Sequence, residues 1–268
     1  MLRVTCHYMS TYITEGIVLK YYPYRDFDRI FTIYTKEHGK IDVIGKGTGK
    51  LLSKLAGHLE PYTVSKLMVA DGRRWDVLTQ SITLDAFSTL KTTLSGLACA
   101  GVIAEAVDLL TKSGFEDYAV YTHIHQAFDA LNNDSDHPPM LIYHVIWKLM
   151  ALLGFAPHVT ACVRCKTELS GAQAQASFFH FIEAGFVCNE CMKEGVSAVM
   201  WPTSREGLET LHFLMTAPLA IWRKRDTLSP EDRGIARLIL HYYQYCLGDA
   251  VIPRSILFHR AVFSPVVH

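Results

Sequence analysis

The amino-acid sequence predicts an α+β chain of two domains, a small β-barrel followed by a helical domain that carries a four-cysteine module. Three observations support this. Short runs of β-branched and aromatic residues fill Tyr12 to about Thr83, the apolar period becomes helical after Leu84, and two C-x2-C pairs stand at Cys162, Cys165 and Cys188, Cys191. The expected boundaries are 1–83 for the barrel and 84–268 for the helical domain, with the module inserted at about 158–195. With 268 residues, 50% of them hydrophobic, 19% charged and a mean hydropathy of +0.14, the chain has enough apolar surface to offset the entropy of ordering, which excludes a disordered tail.

The strand-like runs are Gly16 to Tyr22, Ile30 to Thr35, Lys40 to Ile44, Tyr62 to Val69 and Trp75 to Ile82. His38-Gly39 is expected to close a hairpin, and Asp71-Gly72 a second turn in which glycine supplies a positive φ. Five short strands in so short a stretch favour a closed barrel, because closure removes edges that a small open sheet would expose. Leu94 to Leu110, Tyr118 to Leu131 and Met140 to Leu153 follow as helices, the second ending in Asn132-Asn133-Asp134-Ser135 and the third opened by Pro138-Pro139. A last helix has Ser229 as N-cap, Pro230, Glu231 and Asp232 in its first turn, and Gly248 as its stop. Its apolar face is Ile235, Leu238, Ile239, Tyr242 and Cys246.

The 22 residues between the two cysteine pairs bring two tight turns together, each offering two thiolates, which suits a tetrahedral zinc ion. Phe178 to Ile182 reads as a strand, and Gly185 as part of the return turn, so a hairpin would deliver Cys188 beside Cys165. Four sulfur ligands leave no position for water, so one structural Zn2+ is expected, held by Cys162, Cys165, Cys188 and Cys191. A redox role is disfavoured because neither pair sits at a strand-to-helix turn. A zinc-deaminase match of His58-Leu59-Glu60 with Cys162-x-x-Cys165 fails, since the required proline is Ala161. Cys6, Cys99 and Cys246 stand alone, the last two in apolar helical patterns where a buried thiol is expected.

Equal numbers of basic and acidic side chains, 26 each, exclude a wholly basic nucleic-acid binder. The charge is unevenly placed: residues 1–80 carry 12 basic and 8 acidic side chains. Lys36, Lys40, Lys46, Lys50 and Lys54 cluster with Gly39, Gly45, Gly47 and Gly49, opposed by only Glu37 and Asp42. This is not a phosphate loop, which would need glycine at Ile44 and Ser or Thr at Leu51. What remains is a mobile lysine-bearing loop, for which charge alone permits either a contact to polyphosphate backbone or simple solvation. Tyr21, Tyr22, Tyr24 and Phe27 beside Lys20, Arg25 and Arg29 favour the former, since single-strand binders combine cations with stacking rings. Arg73 and Arg74 after the second turn extend the same set.

The longest stretch without a charged residue, Leu149 to Val163, is too short and too broken by Gly154 and Pro157 to span a bilayer. The first residues lack the apolar core of a secretory signal, so a cytoplasmic protein is expected, with residues 1–8 an arm or upstream start.

Gly16-Ile17-Val18-Leu19 with Tyr24-Arg25-Asp26-Phe27-Asp28-Arg29-Ile30, Thr35 to Ile41, and Gly45-Lys46-Gly47 leading to Leu59-Glu60-Pro61-Tyr62 together resemble the RecO family of recombination mediators. Gly154-Phe155-Ala156-Pro157 before the cysteines and Arg254-Ser255-Ile256-Leu257-Phe258 continue the likeness, which runs from about Thr14 to about Phe258. The resemblance implies an N-terminal OB-fold, a helical domain and, in many members, the four-cysteine zinc module. It also implies DNA repair without covalent catalysis: binding of single- and double-stranded DNA, strand annealing, loading of RecA with RecR onto DNA coated by single-strand binding protein, and contact with that protein's acidic C-terminal tail. A nucleoid-associated place in the cytoplasm goes with that role. Lys20, Arg25, Arg29, Lys40, Lys46, Lys50, Lys54, Arg73 and Arg74 are the expected DNA contacts. Two departures stand out. Leu51, Leu52 and Ser53 interrupt a loop usually crowded with Arg and Lys, and Lys166 stands where such knuckles commonly have glycine for a positive φ. The competing reading is a zinc-stabilised interaction scaffold that does not touch DNA; an enzyme is disfavoured, since His123 and His125, two apart on a helix, point away from each other.

Overall fold

A computed structural model of the chain describes residues 10–133, 139–169, 177–193, 200–219, 230–248 and 253–255. Cys6 and residues 1–8, Asp134, Ser135, Pro138, the N-cap candidate Ser229, and Ile256 to Phe258 lie outside the described residues. The chain divides into two compact units: Met1–Ser88 with Val107–Phe128, and Thr89–Ala106 with Asp129–His268.

The first unit is built on a closed barrel of β1 (Thr11–Tyr24), β2 (Asp28–Thr35), β3 (Gly39–Gly45), β4 (Val64–Ala70) and β5 (Asp76–Asp85), in the order β1-β2-β3-β5-β4. All neighbours are antiparallel except β3 and β5, which pair in parallel through Val43↔Asp76 and Ile44↔Val77. This is the OB-like barrel that the strand pattern and resemblance predict. Closure depends on β1, which pairs with β4 through its first half and with β2 through its second. Gly16 sits at the crossing, where a Cβ would lie 2.6 Å from the Ile33 side chain and 3.1 Å from that of Leu67. A bulge at Leu19 then bends the strand. Val18, Phe31, Ile33, Val43, Leu59, Leu67, Val69 and Leu78 fill the interior. Phe128 packs against Tyr62 and Phe87 at ring distances of 5.7 and 6.0 Å.

The two turns differ in what they ask of glycine. Gly39 has φ +62°, as expected of the His38-Gly39 hairpin. Gly72 has no positive φ; it is required by space instead, because a Cβ there would lie 1.8 Å from the Trp75 carbonyl oxygen. Positive φ falls also on Gly47, in the β3–β4 loop, and, away from glycine, on Arg25, in the β1–β2 turn, and on Tyr62.

Helices α1 (Leu94–Leu110), α2 (Tyr118–Asn133) and α3 (Pro139–Leu152) match the three predicted ones. A three-stranded sheet of β6 (Ser177–His180), β7 (Gly185–Cys188) and β8 (Met200–Thr203), in the order β7-β6-β8, carries the short α4 (Asn189–Lys193) after β7. Helices α5 (Arg205–Thr216) and α6 (Pro230–Leu247) pack on α3. The Trp147 ring in α3 meets Tyr242 in α6 edge-on at 5.9 Å, and its indole N–H donates to the Leu211 carbonyl at 3.1 Å. The α6 face is as read except at its end: Ile235, Leu238, Ile239 and Tyr242 are buried, Cys246 in the last turn is only half-buried, and Gly248 ends the helix with φ +82°. Among the described residues, no helix is long and apolar enough to cross a membrane.

Candidate metal centre and nucleic-acid interface

The cysteine module is organised by backbone pairing before any ion is considered. The β6–β7 hairpin delivers Cys188 at its end, and α4 places Cys191 one turn later. The segment before Cys162 joins the same layer: the His158 N–H donates to the Ala184 carbonyl, and the Phe186 and Val163 N–H groups donate to the carbonyls of His158 and Phe186. Gly185 permits this approach, since a Cβ there would lie 2.4 Å from the Val163 side chain. Lys166 carries φ +63°, the strained position anticipated from its place after Cys165, at a cost of about 1–2 kcal/mol. Its N–H closes the knuckle onto the Cys162 carbonyl at 3.0 Å, and its ammonium caps the Val163 carbonyl at 2.9 Å.

The four sulfurs all lie within 4.8 Å of one another, with Cys165 and Cys188 3.7 Å apart. A tetrahedral ion with sulfur at about 2.3 Å separates its ligands by about 3.8 Å, which the Cys165–Cys188 pair already matches and the other sulfurs, within 4.8 Å, reach by small side-chain shifts. The Cys188 N–H also points at the Cys162 sulfur, 3.4 Å away, as expected where sulfur carries negative charge. Hydrogen bonding to the Thr167 side chain and backbone holds the Cys165 thiol down at about 6. Burial, followed by hydrogen bonds to the other three sulfurs, pushes Cys191 up to about 12. Thiols this close resist ionising together unless a cation lies among them. The all-sulfur donor set selects a soft or borderline cation, and its closed geometry offers no position for a reacting water.

Cys99 is a separate case: it is buried in α1, and desolvation raises its thiol to about 12, which makes it inert. His123 is buried, and His125 meets the Phe87 ring edge-on at 5.6 Å, so the two do not share a site.

The predicted basic set separates into exposed loop residues, residues stacked at the β1–β2 turn, and a third group paired with an acidic residue. Lys46, Lys50 and Lys54 are exposed on the loop between β3 and β4, and Arg73 and Arg74 are exposed between β4 and β5. Arg25 is exposed 5.2 Å over the Tyr24 ring, while Arg29 lies 4.5 Å over Tyr21, leaving both guanidinium groups stacked beside the β1–β2 turn. The third group points elsewhere. Lys40 departs from the expectation of a surface contact: it is buried, its ammonium 3.2 Å from the Asp108 carboxylate and also on the Asp108 backbone carbonyl. Lys20 remains half-exposed but reaches the same carboxylate at 2.5 Å. Asp108, which lies far along the chain in α1, was not identifiable from any sequence motif.

The first residues of the β3–β4 loop are tied down by hydrogen bonds despite their glycines. The Gly47 N–H donates to the Asp28 carboxylate at 2.8 Å, and the Gly49 N–H to the Phe27 carbonyl at 2.7 Å. Thr48 is buried, with its hydroxyl on the Gly45 carbonyl. Beyond this clamp, Leu51 and Leu52 are 100% and 91% exposed.

Comparison with known proteins bears on both features. Residues 9–87 match the family model described as Recombination protein O N terminal, and residues 91–252 match Recombination protein O C terminal. A DNA repair protein RecO of Synechococcus sp. (strain JA-3-3Ab) is 34% identical over 209 residues, covering 72% of this chain and 67% of the relative. The protein of the same name from Roseiflexus sp. (strain RS-1) is 31% identical over 247 residues, covering 92% of this chain and 84% of the relative. That from Pelotomaculum thermopropionicum is 30% identical, covering 88% of each.

Proposed function

The chain belongs to the RecO family of DNA repair proteins, and from that premise we propose that it is a recombination mediator whose barrel binds single- and double-stranded DNA. It anneals complementary strands and, with RecR, helps load RecA onto DNA coated by single-strand binding protein, whose acidic C-terminal tail it also contacts. No covalent chemistry is required of it, and it works in the cytoplasm at the nucleoid. The four cysteines hold one structural Zn2+, which ties the two knuckles together and leaves recognition to other surfaces.

The observation that carries the DNA reading is the clamped β3–β4 loop, which presents Lys46, Lys50 and Lys54 to solvent with no Asp or Glu between Asp42 and Glu60. Arg25, Arg29, Arg73 and Arg74 extend it as further backbone contacts, and Lys20 contributes only by leaving Asp108.

The test is anisotropy of labelled single-stranded oligonucleotide across a salt series. About six phosphate contacts give a log-log slope of roughly −4, and Lys46→Ala/Lys50→Ala/Lys54→Ala should flatten it by about 2 for every base sequence alike. An unchanged affinity and slope in the triple variant would remove the loop from the interface. Absence of binding by the wild-type protein at low salt would leave the zinc-stabilised scaffold as the better account.

A further inference from the structure

Leucines 51 and 52 are the least expected feature of the basic loop: the two largest exposures of large apolar side chains among the described residues, side by side within residues 46–54, a stretch otherwise of glycine, lysine and small polar residues. They are held out by design of the backbone beneath them. Gly47, at φ +67°, and the hydrogen bonds of Gly47 and Gly49 to Asp28 and Phe27 fix the loop on the β1–β2 turn. Gly49 lies close on that turn: a Cβ there would be 3.1 Å from the Phe27 carbonyl oxygen, a tight contact that the absence of a side chain relieves. Two fully exposed leucines therefore follow a stretch of loop whose backbone is tied to the β1–β2 turn.

Its surroundings say what it enters. Lys50 immediately precedes the leucines and Lys54 follows them, both exposed, and Lys50 lies 5.7 Å over the half-exposed ring of Phe27. Of the neighbouring carboxylates, Asp28 accepts from Gly47 and Asp42 accepts from Thr32, while Asp26 is exposed on the turn beneath. An apolar pair bracketed by cations matches a base step bracketed by phosphates.

We propose that Leu51 and Leu52 form a wedge that enters between adjacent bases of bound DNA and unstacks one step, while Lys46, Lys50 and Lys54 hold the flanking backbone. The wedge rests on the DNA-binding reading and deepens it: opening a stack frees base edges, which is what pairing a new strand requires. Phe27 offers the displaced base a ring to stack on.

The experiment uses the full chain and DNA carrying 2-aminopurine at successive positions, read at saturating protein. Wild-type protein should raise the fluorescence at one step. Leu51→Ala/Leu52→Ala should abolish most of that rise and weaken binding by about tenfold, the size of one lost stacking contact, with the salt slope unchanged. Leu51→Met/Leu52→Met should restore the rise. Both side chains are exposed, so an unaltered thermal midpoint is expected and confirms folding. A wild-type fluorescence rise in the alanine variant would overturn the wedge while leaving the DNA interface intact. Failure of the wild-type protein to bind DNA would overturn the interface and the wedge together. Loss of sedimentation with phosphatidylglycerol vesicles in the alanine variant, with its DNA signal unchanged, would assign the tip to lipid and overturn the wedge.

Discussion

Replacing Lys40 by alanine separates a phosphate ligand from a strut of the fold. Lys40 is buried on β3 opposite Tyr34, its backbone carbonyl accepts from the Gly114 N–H at 3.0 Å, and its ammonium grips both the carboxylate and the carbonyl of Asp108. Removing one member of a buried ion pair usually costs about 3–5 kcal/mol, because the other is left as an uncompensated charge. Here Lys20 still reaches the Asp108 carboxylate, so the expected loss is smaller, about 2–3 kcal/mol. Lys40→Met keeps the apolar stem and should lose less than alanine. Lys20→Ala breaks an exposed pair and should change stability by no more than about 1 kcal/mol. The assay is native-state amide exchange of β2 and β3, which reads the barrel alone, combined with the salt dependence of DNA binding. Lys40→Ala should lower protection by the stated amount and leave the salt slope as in wild type. Protection unchanged within about 0.5 kcal/mol, with the slope lowered by about 0.7, would show that Lys40 leaves Asp108 to contact a phosphate, and the argument from burial would be refuted.

Four further outcomes follow from the geometry. Gly39→Ala combines a φ of +62° with a Cβ 2.0 Å from the Phe115 carbonyl oxygen and should cost at least about 2 kcal/mol in urea unfolding. Gly57→Ala, which meets nothing within 4 Å, should stay within about 0.5 kcal/mol of wild type. Elemental analysis should find one zinc per chain, lost in Cys188→Ser, and chelation should expose residues 158–193 to protease; a segment equally protected with and without metal would mean that backbone pairing alone organises it. Burial first, then the Asp76 carboxylate, raises the Tyr12 phenol to about 12. The neutral phenol is thus favoured in the folded state, and this contribution is present below the unfolded value of about 10 and is lost as pH rises from there toward 12. Tyr12→Phe should therefore flatten the alkaline limb of a stability–pH profile; an identical limb would exclude Tyr12 as its source.

Legibility in the sequence followed the range of the interaction. The strands of the barrel, α1 to α3 and the buried face of α6 were readable because each announces itself by a period within one element. Helix α5 is absent from the expected elements although its signals are local: the Ser204 side chain accepts from the Gly207 N–H, Leu208, Leu211 and Leu214 are buried, and Arg205 pairs with Glu209 at 2.9 Å. Ser204 at the N-cap with Gly207 three residues on is the local signal that marks its start. Gly72 shows a different limit. Asp71-Gly72 marks the turn, but whether glycine serves φ or space depends on how Trp75 folds back, which composition does not reveal.

By itself the sequence determined the candidate metal centre and the order of the elements, since C-x2-C spacing builds a knuckle from adjacent residues and alternation builds a strand wherever it occurs. Only the tertiary structure decided which lysines face solvent. A lysine's neighbours in sequence set its probability of being exposed, but its charge is satisfied by whatever the fold brings near it. For Lys40 that is Asp108, 68 residues away, and for Lys46, Lys50 and Lys54 it is water, because Asp28 and Phe27 hold their loop outward by its backbone.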